Sequence, residues 1–150
     1  MQVQALSATV AWLRLERAYA EYGNALRKAF GVTPLQLSIL TILAERPALP
    51  LAALRKALVM HAATLGQAVD EMRRLELVIV RSNPEDRRAR VVAITAKGLE
   101  VLETAPKAGP VRLRTQTSDP ARLDALTAAL TDAVELFGLA PWLPETGDGR

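Results

Sequence analysis

Two short apolar runs, LVIV at residues 77–80 and RVVAIT at 90–95, are built like paired strands. The segment between them holds Asn83-Pro84 and Glu85-Asp86, which is turn chemistry, so the stretch predicts a β-hairpin. Nearly everything else reads at a helical period. The chain is therefore expected to be mainly α with one small hairpin.

The first thirty residues contain no proline and one internal glycine, Gly23. Trp12, Leu15, Tyr19, Tyr22, Leu26 and Phe30 fall on one helical stripe, and Val3, Leu6, Val10 and Leu13 form a second, roughly opposite. A helix with two apolar faces needs two neighbours: its own domain and a second subunit. Gly31 ends it, and Thr33-Pro34 opens the next helix with a cap and a first-position proline. That helix places Leu35, Ile39, Ile42 and Leu43 on a core face until Pro47 stops it. Leu51 to Leu58 makes a short helix. HAATLGQAVDEMRRL (61–75) follows after a turn, with Leu65, Ala68, Val69, Met72 and Leu75 expected to face inward. Helix, turn, helix and hairpin is the winged helix-turn-helix order, in which the second helix enters the major groove and the hairpin lies along the backbone or minor groove.

After the hairpin, Thr95 caps a helix, AKGLEVLETA, that fails near Pro106, Gly109 and Pro110. VRLRTQT (111–117) alternates, which predicts a short strand or an extended connector. Ser118-Asp119-Pro120 restarts a helix that runs to about Phe137 before Gly138. The tail LAPWLPETGDGR reads as an irregular end. One domain of 1–150 is expected, with a winged core at 33–105 and dimerisation elements at 1–30 and 106–140.

Composition narrows the function. Half the residues are hydrophobic and 23% are charged, so the chain is globular. It has no cysteine, which excludes disulfides, thiolate metal sites and thiol redox sensing. No run is apolar enough to span a bilayer, and the N-terminus lacks the basic start of a signal peptide, so a cytoplasmic protein without membrane contact is expected. Residues 73–90 carry six arginines against Glu76, Glu85 and Asp86, which accounts for the whole net charge of +3. A basic spot on a neutral body suggests a polyanionic partner.

The order of elements resembles the MarR family of winged-helix transcription regulators. The matching pieces are TPLQLSILTIL, ATLGQAVDEMRRLELV, the hairpin RSNPEDRRARVVAIT and the following TAKGLEVLE, together covering residues 33–103. Asp-Arg-Arg followed by a strand and Thr-x-Lys-Gly is the more specific part. The resemblance implies a homodimer binding a palindromic operator on double-stranded DNA, commonly as a repressor, and released by a small aromatic or anionic effector. The chain departs from the family in three places. Glu76 stands where glycine is usual, Gln67 stands where a basic residue is common, and the long helix after the hairpin is interrupted at Pro106–Pro110.

Within this frame Gln67 can read adenine with two hydrogen bonds, and Thr64 can hold a phosphate or a thymine methyl. His61 and Arg74 flank them at the two helix ends. Ala63 and Gly66 either let the backbone approach DNA closely or mark a face with nothing to read. On the hairpin, Arg81, Asn83, Arg87, Arg88 and Arg90 are expected at DNA, with Asp86 bracing the loop by pairing with Arg88. The bland alternative is a solvated charged hairpin, but exposed ion pairs contribute little, and unpaired arginines are better explained by phosphate contacts. Trp12, Tyr19 and Tyr22 could line a ligand cleft, although such stripes more often serve a core or dimer interface.

His61 is the only histidine and has no metal-ligand partners in pattern, no serine has a credible base, and no phosphate loop appears, so neither an enzyme nor a cofactor is expected. The competing function is a winged-helix protein-interaction module or anti-repressor with weak DNA reading, which the small residues of the second helix and Glu76 favour and the hairpin arginines oppose.

Overall fold

The computed structural model describes residues 2–116 and 118–144. Met1, Thr117 and residues 145–150, the end of the tail expected to be irregular, lie outside this description. Among the described residues, seven α-helices and three short strands follow in the order α1 (Val3–Phe30), α2 (Pro34–Glu45), β1 (Ala48–Pro50), α3 (Leu51–Leu58), α4 (Ala62–Arg74), β2 (Val78–Ser82), β3 (Arg90–Ile94), α5 (Ala96–Thr104), α6 (Pro110–Thr115) and α7 (Pro120–Leu136). A single 3₁₀ turn, Ala140–Trp142, comes after α7.

The expected helix ends are formed by the expected chemistry. Gly31 closes α1 in the left-handed region at φ 72°, its N–H donating to the Arg27 carbonyl. The Thr33 hydroxyl accepts from the Gln36 N–H at 3.1 Å, and the Gln36 side-chain oxygen accepts from the Thr33 N–H at 2.9 Å. This reciprocal box satisfies two orphan donors at the start of α2. Helix α2 is the centre of the core. Leu37, Leu40 and Thr41 are buried as well as Ile39, Ile42 and Leu43, while Leu35 is only half-buried. Leu26, Leu54, Leu65, Val69, Met72, Val78 and Val92 close around it.

Three features differ from the sequence reading. β1 was not expected: it pairs antiparallel with β3, Leu49 opposite Val92, and makes β3 the middle strand of the sheet β1-β3-β2. Three residues are too few to show an alternation, and Pro50 argues against a strand except at an edge, where β1 lies. The segment VRLRTQT is neither strand nor connector, since its first residues lie in α6. Pro110 starts that helix after Gly109, Val111 is buried, and the Thr115 hydroxyl donates to the Val111 carbonyl one turn back. Over so few residues a period of two and a period of 3.6 cannot be told apart. Leu75 does not face inward; it lies past the end of α4 and is exposed.

Helix α4 is bracketed by two non-glycine residues in the left-handed region, Val59 at φ 50° before it and Glu76 at φ 61° after it. That conformation crowds Cβ against the backbone and is worst for a branched side chain. Glu76 therefore makes a left-handed turn of the kind that suits glycine and accepts the strain. Replacing Glu76 with Gly is expected to stabilise the fold by about 0.5–1 kcal/mol, the relieved strain exceeding the entropy glycine adds to the unfolded chain. Urea unfolding reads this directly, and a midpoint lowered by the substitution would contradict it.

The ends of the chain are packed differently from its middle. Of α1 only Leu26 is buried, and α7 buries nothing. Val3 is 74% exposed, Leu15 63% and Leu130 50%. Both stripes of α1 thus remain largely uncovered along its first five turns. No described helix is long and apolar enough to cross a membrane.

Candidate nucleic-acid interface

The exposed face of α4 and the loop of the hairpin present most of the residues singled out from the sequence. His61, Thr64, Gln67 and Arg74 are exposed along α4, and Ala63 lies with them. His61 occupies the N-cap position, yet its side chain caps nothing. Gly66 is half-buried, and a Cβ there would meet nothing within 4 Å, so the fold does not demand glycine at this point.

The hairpin pairs Val78 with Ile94, Val80 with Val92 and Ser82 with Arg90. Its loop is tied by its own backbone: the Asn83 N–H donates to the Ala89 carbonyl at 2.8 Å, and the Ala89 N–H to the Asp86 carbonyl at 3.0 Å. Two side chains complete it. The Asn83 Oδ1 accepts from the Glu85 N–H and the Asp86 Oδ1 from the Arg88 N–H, each at 3.0 Å. The brace expected from Asp86 is therefore made to the backbone of Arg88 and not to its guanidinium, because a short carboxylate reaches the amide two residues ahead more easily than a long exposed side chain. Asn83 is half-buried, with its carbonyl oxygen engaged in the same turn. Among the described residues none of Arg81, Arg87, Arg88 and Arg90 is paired with a carboxylate, and all four are exposed.

What fixes the hairpin against α4 is the corner Leu75–Glu76–Leu77. The Thr95 hydroxyl donates to the Glu76 carbonyl at 2.7 Å while accepting the Gly98 N–H as the cap of α5. Lys97 Nζ donates to the Leu75 carbonyl at 3.0 Å, and the Thr95 N–H to the Leu77 carbonyl at 3.1 Å. A Cβ on Gly98 would stand 2.4 Å from the same Leu77 carbonyl. The Thr-x-Lys-Gly motif thus converges, residue by residue, on the strained joint between α4 and the hairpin.

A second fastening was not visible in the sequence. Glu71, on the inner flank of α4, receives Arg27 of α1 at 3.1 Å and the buried Gln36 amide of α2 at 3.1 Å. Both partners are remote in sequence, so no local pattern announces them. One carboxylate couples the long first helix to the exposed helix of the core.

Three aromatic residues of α1 make contacts within the chain, although Trp12 and Tyr19 stay exposed. Trp12 lies against Phe137, ring centroids 5.4 Å apart. Tyr22 donates to the Pro106 carbonyl at 2.7 Å and stacks beside Tyr19 at 6.3 Å. Tyr19 packs on Gly109, where a Cβ would come within 2.8 Å of its ring. Burial, and secondarily the neighbouring Tyr22, push the Tyr19 phenol above its ordinary value, so it stays neutral at physiological pH. The Tyr22 and Tyr19 contacts hold the interruption between α5 and α6 against the first helix.

The geometry has counterparts among known proteins. Residues 30–89 match the family model described as MarR family. The HTH-type transcriptional regulator MhqR of Bacillus subtilis (strain 168) is 28% identical over 91 residues, 59% of this chain, and the match spans 63% of that relative's length. Two solved structures share the fold over most of the chain. AbsC, a MarR family transcriptional regulator from Streptomyces coelicolor, superposes with a TM-score of 0.67 at 22% identity, covering 91% of this chain and 96% of its own. A mutant MarR from E. coli complexed with operator DNA gives 0.62 at 17% identity, covering 82% and 91%.

Proposed function

We propose that this chain, a winged-helix protein of the MarR type, works as a homodimeric repressor that binds a palindromic duplex operator and is released by a small ligand. The observation that carries DNA binding is the hairpin loop, which is braced by several backbone and side-chain hydrogen bonds while its arginines have no carboxylate partner among the described residues. A rigid mount with unpaired guanidinium groups is suited to phosphate and to a narrow minor groove.

In this reading α4 lies in the major groove. Gln67 faces a base edge, Thr64 contacts a phosphate or a thymine methyl, and His61 and Arg74 hold backbone at the two ends. Arg87 and Arg88 reach the minor groove or its phosphates, with Arg81, Arg90 and the Asn83 amide on the flanking strand. With only one bidentate reader on α4, base specificity is modest and backbone contacts supply most of the affinity. Two such units related by a dyad call for a palindrome. Release requires a ligand that binds the competent and incompetent forms with different affinity. Trp12, Tyr19 and Tyr22 place one candidate ligand region beside the α5–α6 interruption.

Two substitutions separate a DNA-contacting loop from a solvated one. Arg87→Ala is expected to weaken binding to all duplexes alike and to lower the salt slope by ~1 per lost contact. Asp86→Ala removes a negative charge, so simple electrostatics predicts tighter binding. Loss of the bond to the Arg88 N–H predicts weaker binding, and that is the expected result. Selection of bound sequences from a random duplex pool tests the whole reading. A two-fold symmetric consensus is expected, and recovery of no enriched sequence would count against an operator.

A further inference from the structure

Two helices meet at the carboxylate of Glu71 on α4. Its Oε1 accepts from Arg27 of α1 at 3.1 Å, and its Oε2 from the Gln36 amide of α2 at 3.1 Å. We propose that Glu71 is a positioning residue that fixes the rotation of α4 about its own axis and thereby aims Gln67 at a base edge. The fixing of the helix stands on these contacts, whereas the aim at a base rests on the proposed function.

Packing alone leaves that rotation loose. Leu65, Val69 and Met72 are the residues that α4 buries. Apolar contact is non-directional, so it opposes lifting the helix away more than rolling it. Hydrogen bonds depend on angle as well as distance and resist a roll. Thr95 and Lys97 hold the corner after α4, and Glu71 restrains the body of the helix. Because Glu71 lies four residues after Gln67, on the adjoining turn of the same side, a roll that displaces one displaces the other. Among the described residues no other side-chain hydrogen bond joins α1 to α4.

The buried partner explains why this residue is a carboxylate. Gln36 is 1% exposed, and its Oε1 is held by the Thr33 N–H at 2.9 Å in the cap of α2. Its amide does not turn over without losing that cap, so its Nε2 is aimed at α4. There it donates to the Ala68 carbonyl at 3.4 Å as well as to Glu71. Arg27 likewise offers only donors. A group that faces two donors must supply two acceptors, as a carboxylate does. Glutamine has one acceptor and would set donor against donor at either Arg27 or Gln36. The Arg27 and Glu71 side chains are 53% and 40% exposed, so their pair adds little to global stability. What it fixes is geometry.

The test compares the full chain of the wild type with Glu71→Gln, an isosteric change. Amide hydrogen exchange without DNA is expected to quicken about ten-fold within α4, while α5 and the sheet keep their wild-type rates. Arg27→Ala is expected to quicken the same amides. The double variant should do so by less than the two separate effects combined, because both remove one contact. Exchange unchanged in α4, quickened equally throughout the chain, or fully additive in the double variant would overturn the proposal. The second readout is the ratio of affinities for the selected operator and for a scrambled duplex of the same length. Glu71→Gln is expected to lower that ratio about ten-fold and to leave the salt slope as it was, since the hairpin arginines are untouched. A general loss of stability does not move the ratio, and a ratio equal to that of the wild type would overturn the aiming of Gln67. If the wild type bound no duplex selectively, the proposed function alone would fail, and the exchange rates would still decide whether Glu71 fixes α4.

Discussion

Gly98→Ala is expected to destabilise the protein by about 3 kcal/mol, a large share of the roughly 5–15 kcal/mol that keeps a domain folded. An alanine Cβ here would stand 2.4 Å from the Leu77 carbonyl, 2.9 Å from the Ile94 side chain and 3.2 Å from Leu40. The first contact is with backbone that cannot turn aside, because the Thr95 N–H already holds that carbonyl and Lys97 and Thr95 hold the two residues before it. Relief would require α5 to slide off the corner and break those bonds. Against this, alanine gains about 1 kcal/mol over glycine inside a helix, so the clash wins. Gly66→Ala is the matched control on α4, where the new methyl meets nothing within 4 Å. It is expected to raise stability by up to about 1 kcal/mol. Equilibrium unfolding of the two variants with opposite signs would establish that packing against Leu77, and not glycine as such, makes the motif. Equal and small effects would refute it.

The second large effect concerns assembly. Leu126 and Leu130, 41% and 50% exposed, stand one turn apart on a helix that buries no residue within the chain. Val3, Leu6, Val10 and Leu13 are exposed on α1 in the same way. So much uncovered apolar surface, on the two helices outside the winged core, fits a subunit interface. The wild type is expected to sediment as a dimer at micromolar concentration. The double substitution Leu126→Glu with Leu130→Glu places four carboxylates in that interface and is expected to yield monomers with unchanged helix content. Binding to a palindromic duplex then falls by about a hundred-fold or more, since the two half-sites are no longer engaged together. A wild type that sediments as a stable monomer would remove the basis for a palindrome.

Much of this architecture was legible in the chain because its local signals are strong. Gly31, Thr33-Pro34, Thr95 and Asp119-Pro120 each mark a helix end by a side chain or backbone geometry that acts within four residues. The hairpin announced itself through two apolar runs around a turn sequence. What escaped was either too short or too distant. β1 exists because β3 offers an edge to Ala48–Pro50, and α6 because Val111 finds a place in the core; neither fact is local. The Thr95, Lys97 and Gly98 motif could be recognised as a pattern, but its reason is a carbonyl corner some twenty residues earlier. Glu71 carries no local signal at all, because its partners Arg27 and Gln36 are remote in sequence. Asp86 is legible as the brace of the loop through Arg88, but not the atom it holds, since sequence spacing cannot separate a guanidinium from the amide of the same residue.

Duplex DNA binding through the arginines of the hairpin is tested most directly by the dependence of affinity on salt. Affinity for a duplex of fixed sequence is measured across a series of monovalent salt concentrations, and the logarithm of the association constant is plotted against that of the salt. Each neutralised phosphate contributes about −0.9 to the slope, so a dimer using two or three arginines per hairpin predicts a slope between about −3.6 and −5.4. A slope near zero, with or without measurable binding, would mean that these arginines hold no phosphate and that the winged surface serves a different partner.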